Sequence, residues 1–187
     1  MASIDLRIIK TKRSIRNALF QLLSQKPLEQ ITVRELAQQA EINKGTFYLH
    51  YHDIYDLVHQ LQTQVLQDIL KSLPQAEELL LDSSRFTLAL FHTFYQHQQE
   101  IDLLFSGSQS AVLPVQIEQE LKQYLHEHIP QTKDDPKFNI FLSYSVYGGY
   151  YAFQENHTRF GPEQVAETIG ELSRCLDRQW DFSKTHS

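Results

Sequence analysis

Four side chains that can donate hydrogen bonds lie close together in this sequence, with no acidic residue among them. They are Lys44, Thr46, Tyr48 and His50. Phosphate oxygens and many base edges in the major groove of DNA accept hydrogen bonds, so a DNA-binding surface needs donors and small groups rather than carboxylates. These residue types therefore predict a surface that contacts nucleic acid.

The local pattern places these donors on a short helix. Asn43 is a good N-cap for a helix over residues 44 to about 50. Phe47 and Leu49 supply apolar side chains that we expect to anchor this helix to the core. Gly45 has no side chain, so the beginning of the helix can approach DNA closely, where the helix dipole favours phosphate.

A second short helix precedes this one. Thr32 and Glu35 have the spacing of a capping box. The apolar residues on the inner side of this helix are Val33, Leu36, Ala37 and Ala40. A tight turn at 41–43 joins the two helices, an arrangement typical of a helix-turn-helix in which the second helix enters the major groove.

Longer helices flank this pair. The helix before it has apolar residues at the spacing of one face, namely Ile15, Ala18, Leu19, Leu22 and Leu23. We expect this helix to begin near Asp5 and to end before Pro27. After the pair, Asp53 caps a long fourth helix that ends at Pro74. Its apolar stripe is Leu57, Leu61, Val65 and Ile69.

The charge of the chain is divided along its length. The 187 residues carry a net charge of −6, yet residues 1–52 contain eight Lys or Arg against four acidic residues. The remainder is strongly acidic. A polyanion attracts the first segment and repels the second, which orients the protein. Taken alone, the charge asymmetry is explained equally well by an ordinary solvated face and by nucleic-acid binding.

The rest of the sequence also has helical periodicity. The segments are 83–97, 100–106, 114–128, 137–157 and 163–180. No segment alternates with the period of a strand, so the sequence predicts an all-α fold of about nine helices. We divide it into a helix-turn-helix DNA-binding domain at residues 1–52 and a helical dimerisation and effector-binding domain at residues 53–187, joined by the long fourth helix.

Three motifs carry a resemblance to a known family. They are Ile31-Thr-Val-Arg-Glu-Leu-Ala37, Ala40-Glu-Ile-Asn-Lys-Gly-Thr-Phe-Tyr-Leu-His-Tyr51 and Asp53-x-x-Asp56-Leu57. With them, residues 7–70 resemble the N-terminal domain of the tetracycline-repressor (TetR/AcrR) family of bacterial regulators. The resemblance implies DNA contacts from the second helix and the third, at Thr32, Arg34, Lys44, Gly45, Thr46, Tyr48 and His50.

The resemblance also divides the roles of these contacts. Thr46, Tyr48 and His50 are expected to bind mainly phosphates. Lys44 is the best candidate for base reading, because lysine pairs with guanine acceptors. Lys12 and Arg13 on the first helix are predicted from position alone to contact the DNA backbone.

The chain departs from the family at two positions. His52 and Ile54 stand where many relatives have lysine. This predicts a phosphate contact that is weaker, or that depends on the protonation of His52. For Tyr48 and Tyr51, packing in the core is the alternative to a DNA contact, and it is the favoured role for Tyr51.

The resemblance further implies a homodimer whose last two helices pair across a two-fold axis. Gly148 and Gly149 are adjacent inside a predicted helix, where each glycine costs about 1 kcal/mol relative to alanine. Close approach of another helix offsets that cost. We therefore assign the two glycines to the dimer interface, with Leu172 and Leu176. A kink or bulge without a partner remains the alternative.

Aromatic residues are dense in the second half of the sequence. Tyr95, Phe105, Tyr144 and Tyr147 are the predicted lining of a pocket for a small organic effector. Apolar pockets with a few polar groups suit such ligands. The same aromatic residues at helical spacing are equally typical of an ordinary core.

The sequence lacks the residues that several other functions require. The histidines of the second half do not have zinc-site spacing, and no nucleophile elbow, phosphate-binding loop or zinc-protease motif is present. We therefore predict no cofactor, no metal and no enzymatic activity. Cys175 is the single cysteine and is expected to be a buried thiol. Neither a signal peptide nor a membrane span is evident, which predicts a bacterial cytoplasmic protein.

Together these features predict a sequence-specific DNA-binding transcriptional regulator. The favoured form is a homodimeric repressor that a small-molecule effector releases from a double-stranded DNA operator. The alternative is a protein-binding coregulator of the same fold that has lost DNA recognition. The acidic remainder of the chain and the residues His52 and Ile54 favour this alternative.

Overall fold

A computed structural model describes residues 6–73, 75, 76 and 82–177 of the chain. Within these residues there are α-helices and three short 3₁₀ turns but no strand, which confirms the all-α prediction. The nine described helices are α1 (Leu6–Leu23), α2 (Val33–Gln39), α3 (Lys44–Tyr48), α4 (Ile54–Lys71), α5 (Ser83–Gln96), α6 (Gln98–Leu104), α7 (Leu113–His128), α8 (Pro136–Phe160) and α9 (Pro162–Asp177). The 3₁₀ turns are Leu28–Gln30, Gly107–Gln109 and Pro130–Thr132.

The helices of the helix-turn-helix begin at the capping residues predicted from the sequence. At α2, the Thr32 hydroxyl accepts the backbone N–H three residues later at 3.2 Å. At α3 and α4, the side chains of Asn43 and Asp53 each accept the equivalent N–H at 2.8 Å. Such bonds satisfy amides that have no partner inside their own helix. Local sequence thus fixes where these three helices begin.

Helix boundaries agree with the predictions to within a few residues. Helix α1 ends at Leu23, before Pro27 as expected, and α3 ends at Tyr48, two residues earlier than expected. The predicted beginning of α1 at Asp5 and the predicted end of α4 at Pro74 lie outside the described residues.

The described residues divide into two compact units. The first contains the described residues up to Val65, which include α1 to α3 and most of α4, together with Gln99–Ser110 from the second half of the sequence. Its buried apolar side chains include Ile15, Leu19, Leu36, Phe47, Leu57, Ile101 and Leu104. The predicted functional boundary between residues 52 and 53 stays a prediction.

The second unit contains the described residues of Leu66–Gln98 and those from Ala111 onward. Its core cluster is Leu70, Ala76, Phe86, Leu121, Leu125, Ile129, Phe138, Leu142 and Val146. Helix α9 packs against both α5 and α8. At Gly170 it comes so close to α5 that a Cβ would lie 3.1 Å from Ser84 Oγ and 3.3 Å from the Ser84 carbonyl oxygen.

Two predictions about packing are wrong. Leu49, expected to anchor α3 to the core, is 81% exposed because it lies on the side of α3 away from the buried Phe47. Cys175, expected to be buried, is exposed on α9. Its apolar neighbours Leu172 and Leu176 are exposed too, so these residues form part of an outward surface rather than of the core.

Candidate nucleic-acid interface

Helix α3 has one buried side and one exposed side. Phe47 is fully buried, and its ring lies 5.5 Å from the Tyr48 ring and 5.6 Å from the Tyr51 ring, measured between centroids. Because successive helix residues are about 100° apart around the axis, burying Phe47 turns Gly45 and Leu49 outward. A single aromatic anchor therefore holds α3 and sets which side it presents.

The four donors predicted on α3 have different exposures. Lys44 and Tyr48 are exposed, and Tyr48 retains 56% of its accessible surface, whereas Thr46 and His50 are half-buried. Core packing, the alternative considered for Tyr48, is therefore wrong. The DNA contacts assigned to these four residues stay predictions.

The hydroxyls of Thr32 and Thr46 differ in whether their own proton is available to bind a ligand. In the Thr32 cap the hydroxyl oxygen accepts, so its own proton takes no part in that bond. The Thr46 hydroxyl donates to Asn43 Oδ1 at 3.1 Å. A phosphate oxygen needs a donor. Thr32 can therefore bind a phosphate as it stands, whereas Thr46 must first rotate its hydroxyl away from Asn43.

Gly45 protects the cap of α3. A Cβ at this position would lie 3.2 Å from Asn43 Oδ1. That oxygen already accepts the N–H of Thr46 at 2.8 Å. A side chain at position 45 would press on the atom that begins the helix, a constraint that the sequence alone did not reveal.

Two of the basic residues counted in this part of the chain are ion-paired. Lys26 Nζ contacts the two carboxylate oxygens of Glu35 at 2.7 and 2.6 Å. The guanidinium of Arg16 pairs with Glu100, which belongs to the acidic part of the sequence. Folding thus brings the negative charge of Glu100 into the unit that contains the helix-turn-helix. Arg34 and Lys44 remain exposed, and they are the cations that α2 and α3 present.

Lys12 lies beside Tyr51, three residues after the end of α3. Its ammonium is 5.9 Å from the centroid of the Tyr51 ring, within the range of a cation–π interaction. Tyr51 is buried as the sequence favoured. Burial raises the pKa of its phenol, and the nearby Asp56 carboxylate raises it further. The neutral Tyr51 ring therefore forms a platform for the Lys12 ammonium. Arg13 is also exposed on α1.

Backbone and amide hydrogen bonds close the first turn of α4. The Asp56 carboxylate accepts the His52 N–H at 2.8 Å and the Gln60 amide at 3.0 Å. These two bonds, the first above all, hold the pKa of Asp56 below its ordinary value. Ile54 is 7% exposed, so its side chain belongs to the core and offers no phosphate contact.

The residues predicted for an effector pocket do not form one lining. Tyr144 and Tyr147 line an open groove of about 570 Å³ along α7 and α8. Tyr95 is 60% exposed on α5, and Phe105 is buried within the first unit. The other residues that line the groove are Lys122, Asn139, Ile140, Ser143 and Gly148.

The charged residue of this groove already has a partner. Lys122 forms an ion pair with Glu118 on the same helix, and Ser143 Oγ donates to the same carboxylate at 2.6 Å. Although desolvation acts to raise it, these hydrogen bonds hold the pKa of Glu118 below its ordinary value. An anionic ligand in the groove would have to compete with Glu118 for Lys122.

The predicted dimer residues face in different directions. Leu172 and Leu176 on α9 are 58% and 38% exposed, and a Cβ at Gly148 would meet nothing within 4 Å. A Cβ at Gly149 would lie 3.4 Å from Ile169 of α9. Helix α8 is continuous through both glycines. Gly149 therefore packs within its own chain, while the other three residues are available to a second copy.

In the part of the chain that the structure describes, no three His, Cys, Asp or Glu side chains form a group that could hold a metal ion. None of the helices described combines the length and the apolar character required to cross a membrane.

The part of the chain that forms this interface is similar in sequence to known proteins. Residues 15–61 match the family model of the bacterial regulatory proteins of the tetR family. Over 62 residues the chain is 29% identical to the uncharacterized HTH-type transcriptional regulator YxbF of Bacillus subtilis (strain 168). The match covers 33% of this chain and 15% of YxbF, so it spans only a small part of that protein.

A solved structure has a similar fold over nearly the whole chain. It is the dihydroxyacetone kinase operon activator DhaS, with a TM-score of 0.60 at 16% identity, covering 90% of this chain and 97% of DhaS. These comparisons confirm the predicted resemblance to the tetracycline-repressor family. The family and YxbF are both named as regulators.

Proposed function

We propose that this chain, whose residues 15–61 match the family model of the tetR bacterial regulatory proteins, is a homodimeric DNA-binding repressor released by a small organic effector. The exposed side of α3 carries the proposal, because Phe47 is buried behind it while Lys44 and Tyr48 are exposed. A helix held in this way fits the major groove. Action on DNA would place the protein in the bacterial cytoplasm.

The proposed contacts follow from the chemistry of each side chain. Lys44 begins α3 and would donate to guanine acceptors. The hydroxyl-bearing and cationic residues around it would bind phosphates. These are Thr32, Arg34, Thr46, Tyr48 and His50, with Lys12 and Arg13 added from α1. Gly45 would let the beginning of α3 approach the duplex.

Dimerisation is supported by an apolar stripe on α8. Ile140, Tyr144 and Tyr151 recur at helical spacing and are 63%, 66% and 56% exposed, with Gly148 between them. Contiguous exposed apolar surface marks interaction sites. Paired through α8 and through Leu172 and Leu176 of α9, two copies would bring two α3 helices to successive major grooves, about 34–36 Å apart.

Effector release is supported by the groove along α7 and α8. Its volume of about 570 Å³ is that of a small-molecule site. Ile140, Tyr144 and Gly148 belong both to this groove and to the α8 stripe, so a ligand there would alter the contact between two copies. A ligand shifts an equilibrium only by its difference in affinity for the two states. To release DNA, the effector would therefore bind more tightly to the arrangement of two copies that does not fit DNA.

The test of DNA binding is selection of duplexes from the source genome by the full chain at low salt, followed by gel shifts. We expect the wild type to bind a selected duplex, and Tyr48→Ala and Lys44→Ala to bind it much more weakly while keeping a helical circular dichroism spectrum. Lys133→Ala, which removes an exposed lysine between α7 and α8, is the control and should bind normally. Failure of the wild type to select any duplex would contradict the proposal and favour the coregulator alternative.

The direction of regulation needs its own measurement, because DhaS is named as an activator. We expect a reporter fused to the selected promoter to rise when this chain is deleted and when the effector is added. Thermal-shift screening of small organic compounds identifies the effector. A reporter that falls on deletion contradicts repression and leaves DNA binding intact.

A further inference from the structure

We infer that Leu49 contacts the C5 methyl group of thymine in the major groove and is a determinant of sequence specificity. The inference rests on the proposed DNA-binding function and deepens it. Leu49 is 81% exposed, more than any other large apolar side chain in the described residues. A leucine so exposed contributes nothing to the core, which leaves its side chain available for a contact outside the chain.

The backbone keeps Leu49 in the register of α3. Its φ of −71° and ψ of −19° are helical, and its N–H donates to the Gly45 carbonyl oxygen at 3.1 Å. At about 100° per residue, Gly45 and Leu49 lie together on the side opposite Phe47. Thr46 and Tyr48 lie on the two flanks. Leu49 and Gly45 thus form the centre of the outward side.

Side chains of a helix lean toward its N-terminus, so a residue covers the surface over the preceding turn. Leu49 therefore extends over the position of Gly45, which has no side chain of its own. When a helix lies in the major groove, the centre of its outward side faces the base edges and its flanks face the two phosphate backbones. By its place on the helix, Leu49 would meet bases, while Thr46 and Tyr48 would meet phosphates.

The chemistry of leucine then selects the base. Among the groups that base pairs present in the major groove, the thymine methyl is the apolar one. A leucine placed over guanine or adenine would leave polar atoms without a partner, which is unfavourable for a desolvated group. Leu49 would therefore favour thymine and disfavour the other bases at the position beneath it.

Deoxyuridine tests this contact, because it differs from thymidine only by the missing methyl group. The probe is the duplex that the full chain binds best in selection from a random library, with its thymines replaced by deoxyuridine one at a time. We expect one position in each half-site where this replacement weakens wild-type binding about fourfold, the value of one buried methyl group. Leu49→Ala should bind the thymine duplex about fourfold or more weakly and should not distinguish thymine from deoxyuridine at that position.

Two controls separate this contact from folding. Leu49→Ala should unfold at the same temperature as the wild type, because the side chain is exposed, and Leu49→Met should still distinguish thymine from deoxyuridine. If deoxyuridine weakens the wild type nowhere, or weakens Leu49→Ala equally, the inference is overturned while DNA binding stands. If the wild type binds no duplex at all, the proposed function fails and this contact fails with it.

Discussion

The side-chain amide of Gln62 donates to the carbonyl oxygen of Leu104 at 2.8 Å, although the two residues are 42 positions apart in the sequence. Leu104 ends α6, where backbone carbonyls have no partner inside their own helix. Gln62 is 1% exposed on α4, and its amide also lies 3.4 Å from Gln109 Oε1. Gln62 thus caps α6 from a distance and holds Gln99–Ser110 within the first unit.

Gln62→Leu is expected to destabilise the chain by about 1–3 kcal/mol, because it keeps the side-chain volume but removes the donor to a buried carbonyl. The measurement is urea unfolding followed by circular dichroism. The control is Gln60→Ala, since Gln60 is exposed on the same helix and its loss should change stability by about 0.5 kcal/mol or less. Equal effects from the two variants would show that the Gln62 amide does not act as a cap.

Glu41, in the turn between α2 and α3, is a non-glycine residue with φ of 56°. A side chain in the left-handed region costs about 1–2 kcal/mol. Glu41→Gly should therefore raise the free energy of unfolding by about 1 kcal/mol, measured in denaturant. Glu41→Ala removes the same charge but keeps the Cβ, so it should bring no such gain. If alanine stabilises the chain as much as glycine does, charge and not backbone strain is responsible.

The sequence predicted those parts of the fold that depend on neighbouring residues. Thr32, Asn43 and Asp53 are caps because their side chains reach an amide three residues away, and such spacing is visible in the sequence. The burial of Phe47 and the exposure of Lys44 follow from the same local periodicity. The all-α fold and the helix-turn-helix were accessible for this reason.

What the sequence missed depends on residues far apart in the chain. Nothing near Glu100 reveals that it pairs with Arg16, and nothing near Gly170 reveals the approach of Ser84. Gly148 and Gly149 look alike in sequence, yet only Gly149 faces α9. Leu49 is different, because counting helix positions from Phe47 places it on the outside, although its apolar type alone favours the core.

The carboxylate of Asp56 should stabilise the chain in a pH-dependent way. Its pKa is lowered from 3.8 in the folded chain, mainly by the bond from the His52 N–H and then by that from Gln60. The stabilisation is therefore present above the unfolded pKa and is lost as the pH falls through the folded pKa. Because Asp56 is only partly buried, solvent screens the effect and it should be small.

The measurement compares the wild type with Asp56→Asn by urea unfolding from pH 7 to pH 2.5. We expect Asp56→Asn to be the less stable at pH 7 and the two curves to converge below about pH 3.8. A difference that stays constant across this range would mean that the asparagine acts through geometry rather than through the lost charge.

Gly170 and Gly148 should respond in opposite ways to alanine. A Cβ at Gly170 meets Ser84 Oγ at 3.1 Å and a backbone oxygen at 3.3 Å, whereas a Cβ at Gly148 meets nothing within 4 Å. Gly148→Ala should stabilise the folded monomer by up to about 1 kcal/mol through helix propensity. Gly170→Ala should show no such gain. It should lower the free energy of unfolding by up to about 2 kcal/mol, because α5 and α9 must move apart.

Denaturant unfolding at low protein concentration measures both alanine variants. Adding Ser84→Ala to Gly170→Ala removes one of the two close contacts and should restore part of the stability. If the double variant is no more stable than Gly170→Ala, the Oγ contact is not the source of the strain. Sedimentation of Gly148→Ala tests the proposed interface at the same time, because weaker self-association is expected if α8 helices approach closely there.

Lys44 should contribute to DNA binding through a charge that salt screens. It is exposed at the beginning of α3, and each lysine that contacts DNA releases counterions on binding, so the slope of log K against log salt concentration measures such contacts. Lys44→Ala should weaken binding of the selected duplex and make this slope shallower by about 1 for each copy of the chain. Lys71→Ala, which removes an exposed lysine paired with Asp68, should leave the slope unchanged. If Lys44→Ala loses affinity equally at all salt concentrations, Lys44 acts only through the proposed hydrogen bonds to guanine or through local structure, and the electrostatic contribution predicted here is wrong.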